Sequence, residues 1–384
     1  MARLLFVVPP LVGHVNPTVA VASALRARGH DVAWVAHPTA VRPLLPAGAE
    51  LLPLPDEGHA EVAARAAAEG SAVRGLASIQ FFLERFLVPL AHHMVPGVRD
   101  AVDAWRPDAL IVDQQALAGA IVARERGLPW ATSATTSAEL VDPLASFPKV
   151  AAWRTGLLRD LQAAHGLDPV DEPGWSPHLV LVFSTPALVG PGPWPPHWAF
   201  VGPAVAGRSP GGPFPWDALE DRPRVLVSLG TVSTTRQRRF YDVVAEAVQG
   251  APWQTIVSAP QEMLPEPPAG VLRFDRVPQL ALLPHLHAVV THGGHNTVCE
   301  ALSHGLPLVV TPIRDDQPVV AHQVVQAGAG LRLSFGRLRP AELRDALRRV
   351  LDDPSHREAA ARVAESFRAA GGADAAALRV EALG

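Results

Sequence analysis

Along this chain, short unbroken apolar runs alternate with stretches in which apolar positions recur every three to four residues. The runs at 4–8, 32–36, 109–112 and 130–133 in the first half predict strands, as do 225–229, 254–257, 289–290 and 307–311 in the second. Runs this short and apolar throughout suit strands buried on both faces of a sheet. The stretches between them predict helices, and strand–helix alternation means parallel sheets joined by right-handed crossovers. The pattern starts twice. Residues 4–8 lead into a loop holding Gly13 and a helix start at Asn16-Pro17, with Gly29 as the stop. Residues 225–229 lead into Gly230-Thr231 and a helix from about Arg236 to Val248. Between the two halves, 186–223 is crowded with Pro and Gly, which predicts an ordered but irregular connection. The expected division is an N-terminal domain over 1–205, a linker over 206–222, a C-terminal domain over 223–370 and a closing helix over 371–384. The fold class is α/β, with two doubly wound parallel sheets.

At 384 residues the chain is long for one core, which fits that division. A net charge of −4 and 18% charged residues argue against a nucleic-acid partner, which needs a concentrated basic face. The single cysteine, Cys299, excludes an intrachain disulfide and fits a reducing cytoplasm. It is expected to be a small buried apolar residue rather than a working thiol. No apolar stretch approaches the ~20 residues of a membrane-spanning helix. The apolar N-terminus runs straight into Gly13-His14 without a cleavage pattern, so it reads as a first strand. Lys149 is the only lysine among 33 basic residues; with the abundant Ala and Pro, this composition resembles that of high-GC bacteria.

The candidate chemistry lies just past predicted strands, where ligands sit in parallel sheets. After 289–290 comes Thr291-His292-Gly293-Gly294-His295-Asn296-Thr297. Its glycines allow a tight turn, and Asn296-Thr297 suits a helix start. Such a turn aims backbone N–H groups and the positive end of a helix at one point, an arrangement that binds phosphate without a metal. His292 and the Thr297 hydroxyl add polar contacts. Asp316-Gln317, beyond the next strand, offers hydrogen-bonding groups to sugar hydroxyls. A diphosphate beside a sugar suggests a nucleotide sugar. In the first half, His14 follows the first strand, and a neutral imidazole there can take a proton from a hydroxyl. Asp113 ends the strand at 109–112 and can hold the other ring nitrogen in one tautomer; Asp108 and Asp142 compete less well for that role. Adjacent acidic pairs at Asp315-Asp316 and Asp352-Asp353 lack metal-ligand spacing, so no metal is expected.

The chain resembles the family 1 (UGT-like) inverting glycosyltransferases, of the bacterial natural-product type. The resemblance rests on Gly13-His14-Val15-Asn16-Pro17, Val277-Pro278-Gln279, His292-Gly293-Gly294, Asn296-Thr297, Glu300 and Asp316-Gln317, in the family's order. It implies the GT-B fold, with two Rossmann-like domains facing across a cleft and the last helix packed back on the first domain. It also implies a general base at His14, oriented by Asp113. Nucleotide-sugar contacts would come from Thr231, Arg276, Val277, Gln279, His292, Gly294, His295, Asn296, Thr297, Glu300, Asp316 and Gln317, with Glu300 on the ribose. Plant members carry a stacking Trp where Arg276 stands, which leaves UDP and TDP both open. Similar enzymes build their acceptor pocket from the region 57–100; here Phe81, Phe82, Phe86 and, elsewhere, Ser133 are the candidates. The expected partners are a nucleotide-sugar donor and a lipophilic small-molecule acceptor, with neither nucleic acid nor membrane insertion, and a homodimer is left open. A catalytically silent homologue that activates a partner protein is the alternative, followed by a nucleotide-sugar 2-epimerase.

Overall fold

The computed structural model describes residues 1–55, 75–141, 144, 147–205, 212–230 and 237–383. The chain forms two compact units. The first comprises Met1–Phe183, Pro193–Arg208 and Ala370–Gly384, the second Ser184–Gly192 and Ser209–Ala369.

The first unit holds a seven-stranded sheet in the order β3-β2-β1-β4-β5-β6-β7. These are Arg3–Val7 (β1), Asp31–Ala36 (β2), Glu50–Pro53 (β3), Ala109–Asp113 (β4), Trp130–Ala134 (β5), Leu179–Val182 (β6) and Trp198–Phe200 (β7). All described pairs are parallel. The apolar runs are continuous because both faces are covered: Leu5, Val7, Leu110 and Val112 point into one core, Leu4, Phe6, Ala109 and Ile111 into the other. Each fully buried Leu, Ile or Phe contributes about 1.5–3 kcal/mol. Strand order reverses between β1 and β4, and the ends of these two strands are therefore the crevice-forming point of the sheet.

Two packing details fix what stands there. The Val12–Ala27 helix after β1 is tied to β2, since the Trp34 indole N–H donates to the Thr18 hydroxyl at 2.9 Å. The Leu117–Arg126 helix lies so close on β1 and β4 that a Cβ at Gly119 would meet Val112 and Val7 side-chain atoms at 2.8–2.9 Å. The closing Gly372–Glu381 helix buries Ala376, Ala377 and Val380 in the same core as Val15 and Val21 of the Val12–Ala27 helix. Glu381 accepts hydrogen bonds from Arg28 at 2.8 and 2.7 Å and pairs with His30 at 2.8 Å.

The second unit holds a six-stranded sheet in the order β10-β9-β8-β11-β12-β13. These are Arg224–Ser228 (β8), Gln254–Ser258 (β9), Val271–Phe274 (β10), Ala288–Thr291 (β11), Leu308–Val310 (β12) and Gly330–Arg332 (β13), again parallel. Its reversal lies between β8 and β11.

The connection is more structured than its Pro and Gly content suggests. The Trp198–Phe200 strand sits within it, braced by Trp194 stacked on Trp198. Ser184–Gly192, read from sequence as part of the first domain, belongs to the second unit, whose core buries Leu188. Phe214, read as linker, is buried in that same core. Short apolar pieces decide these placements, and the surrounding prolines hide them from a pattern reading.

Candidate functional site

In the first unit the helix after β1 begins at Val12, earlier than the Asn16-Pro17 start expected from sequence. Leu11 is its N-cap and makes no side-chain capping bond, so no cap residue announces the start. His14 thereby sits in the first turn of a helix, with its backbone fixed, and its side chain is 15% exposed. Asp113, the last residue of β4, is fully buried on its side chain and places Oδ1 2.9 Å from His14 Nδ1. Three further bonds surround the pair. The backbone N–H of Gln115 donates to Asp113 Oδ1 at 2.9 Å, the Thr135 hydroxyl donates to Asp113 Oδ2 at 2.8 Å, and Thr135 Oγ1 lies 2.8 Å from His14 Nδ1. The Gln115 amide in turn donates to Glu139 at 2.8 Å. A carboxylate can only accept, so Nδ1 must carry the proton, and the neutral ring then carries its lone pair on Nε2. The arrangement holds the imidazole in one tautomer.

The other first-domain candidates are placed differently from one another. Phe86 is buried in a core, Phe82 packs half-buried against it with ring centroids 5.6 Å apart, and Phe81 is half-buried. Ser133 is buried, at 1% exposure, with no partner for its hydroxyl among the described residues. A separate cavity of about 510 Å³ opens beside Trp130 and Leu128, at the opposite end of β5 from Asp113, and contains none of the candidate residues.

In the second unit the described candidates follow the ends of β10, β11 and β12. The helix after β11 runs from His295 to Ser303 with Gly294 as N-cap, so Asn296 and Thr297 lie in its first turn rather than capping it. The first-turn backbone N–H groups of this helix belong to His295, Asn296 and Thr297. Gly293 turns the chain with φ +93°, and a Cβ there would meet Val310 at 2.8 Å. The His292 ring lies between two glycines: a Cβ at Gly294 would stand 2.7 Å from its Nε2, and one at Gly230 2.7 Å from its Cε1. Burial holds the His292 imidazole below its ordinary pKa of 6.5, so it is neutral at pH 7.

Gln279 donates to Glu300 at 2.6 Å, which brings two candidates from separate motifs together. Glu300 is buried on the His295–Ser303 helix, Val277 is half-buried against the core, and Arg276 is exposed. Gln317 opens the Gln317–Gln326 helix behind Asp316, its N-cap, and its Oε1 accepts from the backbone N–H groups of Ile313 and Arg314 at 2.9 and 3.1 Å. It therefore shapes the loop in which Asp315 adopts φ +56°. His295 is buried, with Nε2 3.5 Å from the sulfur of buried Cys299, whose thiol pKa is pushed up by burial. Thr231 and Asp142 lie outside the described residues. Among the described residues no three His, Cys, Asp or Glu side chains gather as a metal-binding group, and no helix is long and apolar enough to cross a membrane.

Sequence reasoning passed over Thr135, Gln115 and Gly230. Thr135 carried a signal: it lies two residues beyond Ser133, which pairs in register with Asp113. Gly230 had been read only as a turn.

Comparison with known proteins gives a consistent picture. Residues 254–383 match the family model described as erythromycin biosynthesis protein CIII-like, C-terminal domain. The 4'-demethylrebeccamycin synthase of Lentzea aerocolonigenes is 31% identical over 407 aligned positions, covering 96% of each chain. The 3-alpha-mycarosylerythronolide B desosaminyl transferase of Saccharopolyspora erythraea is 27% identical, over 92% of this chain and 91% of its own. Among solved structures, the calicheamicin glycosyltransferase CalG4 superposes with a TM-score of 0.80 at 26% identity, over 100% of this chain and 98% of that one.

Proposed function

This chain belongs to the GT-B glycosyltransferases of the antibiotic and natural-product type, which transfer sugars from nucleotide sugars, and from that premise we propose a specific reaction for it. The donor is a UDP- or TDP-hexose, the acceptor a hydroxyl of a lipophilic small molecule, and the transfer inverts the anomeric centre. His14 Nε2 takes the acceptor's hydroxyl proton as the acceptor oxygen attacks the anomeric carbon. The bond from that carbon to the diphosphate breaks, and its electron pair leaves with the nucleotide. Asp113 stabilises the imidazolium so formed without taking the proton itself.

The leaving diphosphate needs donors aimed at its developing charge. The first turn of the His295–Ser303 helix supplies them together with the Thr297 hydroxyl and His292, which leaves no step that calls for a metal. Gln279 and Glu300, joined at 2.6 Å, form a polar pair suited to the nucleoside. The names of the relatives, a rebeccamycin-type synthase and a macrolide desosaminyl transferase, support a natural-product acceptor. A cytoplasmic setting suits a nucleotide-sugar donor.

The observation that carries the reading is the 2.9 Å bond from His14 Nδ1 to a carboxylate with no solvent exposure. The test is His14→Ala. Turnover should fall by orders of magnitude while calorimetric affinity for UDP- or TDP-glucose, measured with EDTA and again with magnesium, stays the same. Retained transfer to a hydroxyl acceptor would remove His14 as the base. Failure of all four of UDP, TDP and their glucose conjugates to bind would favour the silent-homologue reading.

A further inference from the structure

We propose that Thr135 is a positioning residue for the transfer reaction, its hydroxyl locking the Asp113 carboxylate and the His14 ring into one hydrogen-bonded cycle. The inference rests on the reading of His14 as base and adds a third member to it.

The argument begins with Asp113. Its Oδ1 is spoken for by His14 Nδ1 and by the Gln115 N–H. Rotation about the terminal torsion of a carboxylate is soft and two-fold, so bonds to one oxygen alone leave the plane of the group poorly fixed. Thr135 supplies the bond to Oδ2, at 2.8 Å. The same oxygen stands 2.8 Å from His14 Nδ1. Because Nδ1 carries the ring proton, the hydroxyl must give its single proton to Asp113 and turn a lone pair to the imidazole N–H. That N–H is then shared between Asp113 Oδ1 and Thr135 Oγ1, and the ring plane is set by two acceptors instead of one. Thr135 is 3% exposed, just beyond β5, so water cannot substitute for it without a cavity. Its side chain is β-branched and stiff at the first torsion, which suits a residue whose task is to hold an angle.

The test compares Thr135→Val, which keeps the shape and loses the hydroxyl, with Thr135→Ser, which keeps the hydroxyl and loses the methyl. Thr135→Val should lower kcat about 10- to 100-fold, the scale of a misaligned reacting group, with donor KM unchanged. Thr135→Ser should restore kcat. Should the valine variant fail to fold, Thr135→Ala gives the same contrast with serine. Equal losses in valine and serine variants, or a valine variant with unchanged kcat, would overturn the assignment. His14→Ala, run alongside, separates the two ideas: if it retains transfer, the base reading has failed. If it abolishes transfer while Thr135→Val does nothing, the base stands and Thr135 alone falls.

Discussion

The slot around His292 offers a test that needs no substrate. Gly294 has φ −60° and ψ 130°, a conformation any residue adopts, so alanine there meets no backbone penalty. What it meets is the imidazole. Its Cβ would lie 2.7 Å from Nε2, roughly 0.8 Å inside the ~3.5 Å of favourable contact. The ring is desolvated by its surroundings, so it can relieve the contact only by shifting against them. Overpacking of this kind costs about 1–3 kcal/mol, against a gain of about 0.4–1 kcal/mol from stiffening the unfolded chain. Gly294→Ala should therefore lose up to about 2.6 kcal/mol net, a drop of up to roughly 10 °C in melting midpoint for a unit of this size. Gly230→Ala should lose more, since φ +72° adds about 1–2 kcal/mol for a residue with a Cβ.

A double-mutant cycle with His292→Ala isolates the cause. With the ring gone, Gly294→Ala should become neutral or stabilising, while Gly230→Ala keeps its backbone cost. Chemical or thermal denaturation of the six proteins that make up the two cycles reads this directly. If Gly294→Ala costs the same with and without the imidazole, the ring is not what the missing side chain accommodates, and the argument from the glycine slot is wrong.

Two further outcomes follow from the same structure. The Glu381 carboxyl is held down from its ordinary 4.5 to about 2, first by the Arg28 guanidinium and then by His30. A depressed folded pKa means stability present above pH 4.5 and lost as pH falls toward 2. Hydrogen exchange of the Gly372–Glu381 helix should accelerate across that window, and Glu381→Gln should remove the dependence; exchange independent of pH, after correction for intrinsic rates, would refute the tether. Cys299, buried and with its thiol pushed up, should resist iodoacetamide in the native protein and react only on unfolding. Rapid native labelling would show that the His295–Cys299 contact activates the thiol instead.

What could be read from sequence, and what could not, follows from burial and from pairing. The central strands β1, β4, β8 and β11 are covered on both faces and leave continuous apolar runs, so pattern alone finds them. Of the five missed strands, β3, β7, β10 and β13 lie at sheet edges, run three or four residues and include exposed or half-exposed positions, where a two-faced signal cannot develop; the fifth, β6, lies inside its sheet and is buried throughout, so its run Leu179–Val182 carried the same apolar signal as the strands that were found. His14, Asp113 and Gly293-Gly294 were legible because each follows directly from its own strand and turn. The place of Gln317 just beyond β12 was legible, but not its bonds to Ile313 and Arg314, which depend on a loop conformation that only the fold sets. Thr135 and Gly230 are the more instructive cases. Each acts on a residue at the end of a neighbouring strand, and the parallel register brings them there: Asp113 pairs with Ser133, and Thr291 with Ser228. In both units a residue two positions beyond a paired strand end meets a histidine close to the reversal in strand order. Two stretches far apart in sequence meet at these points, so the constraint on either becomes readable only once the strand order is known.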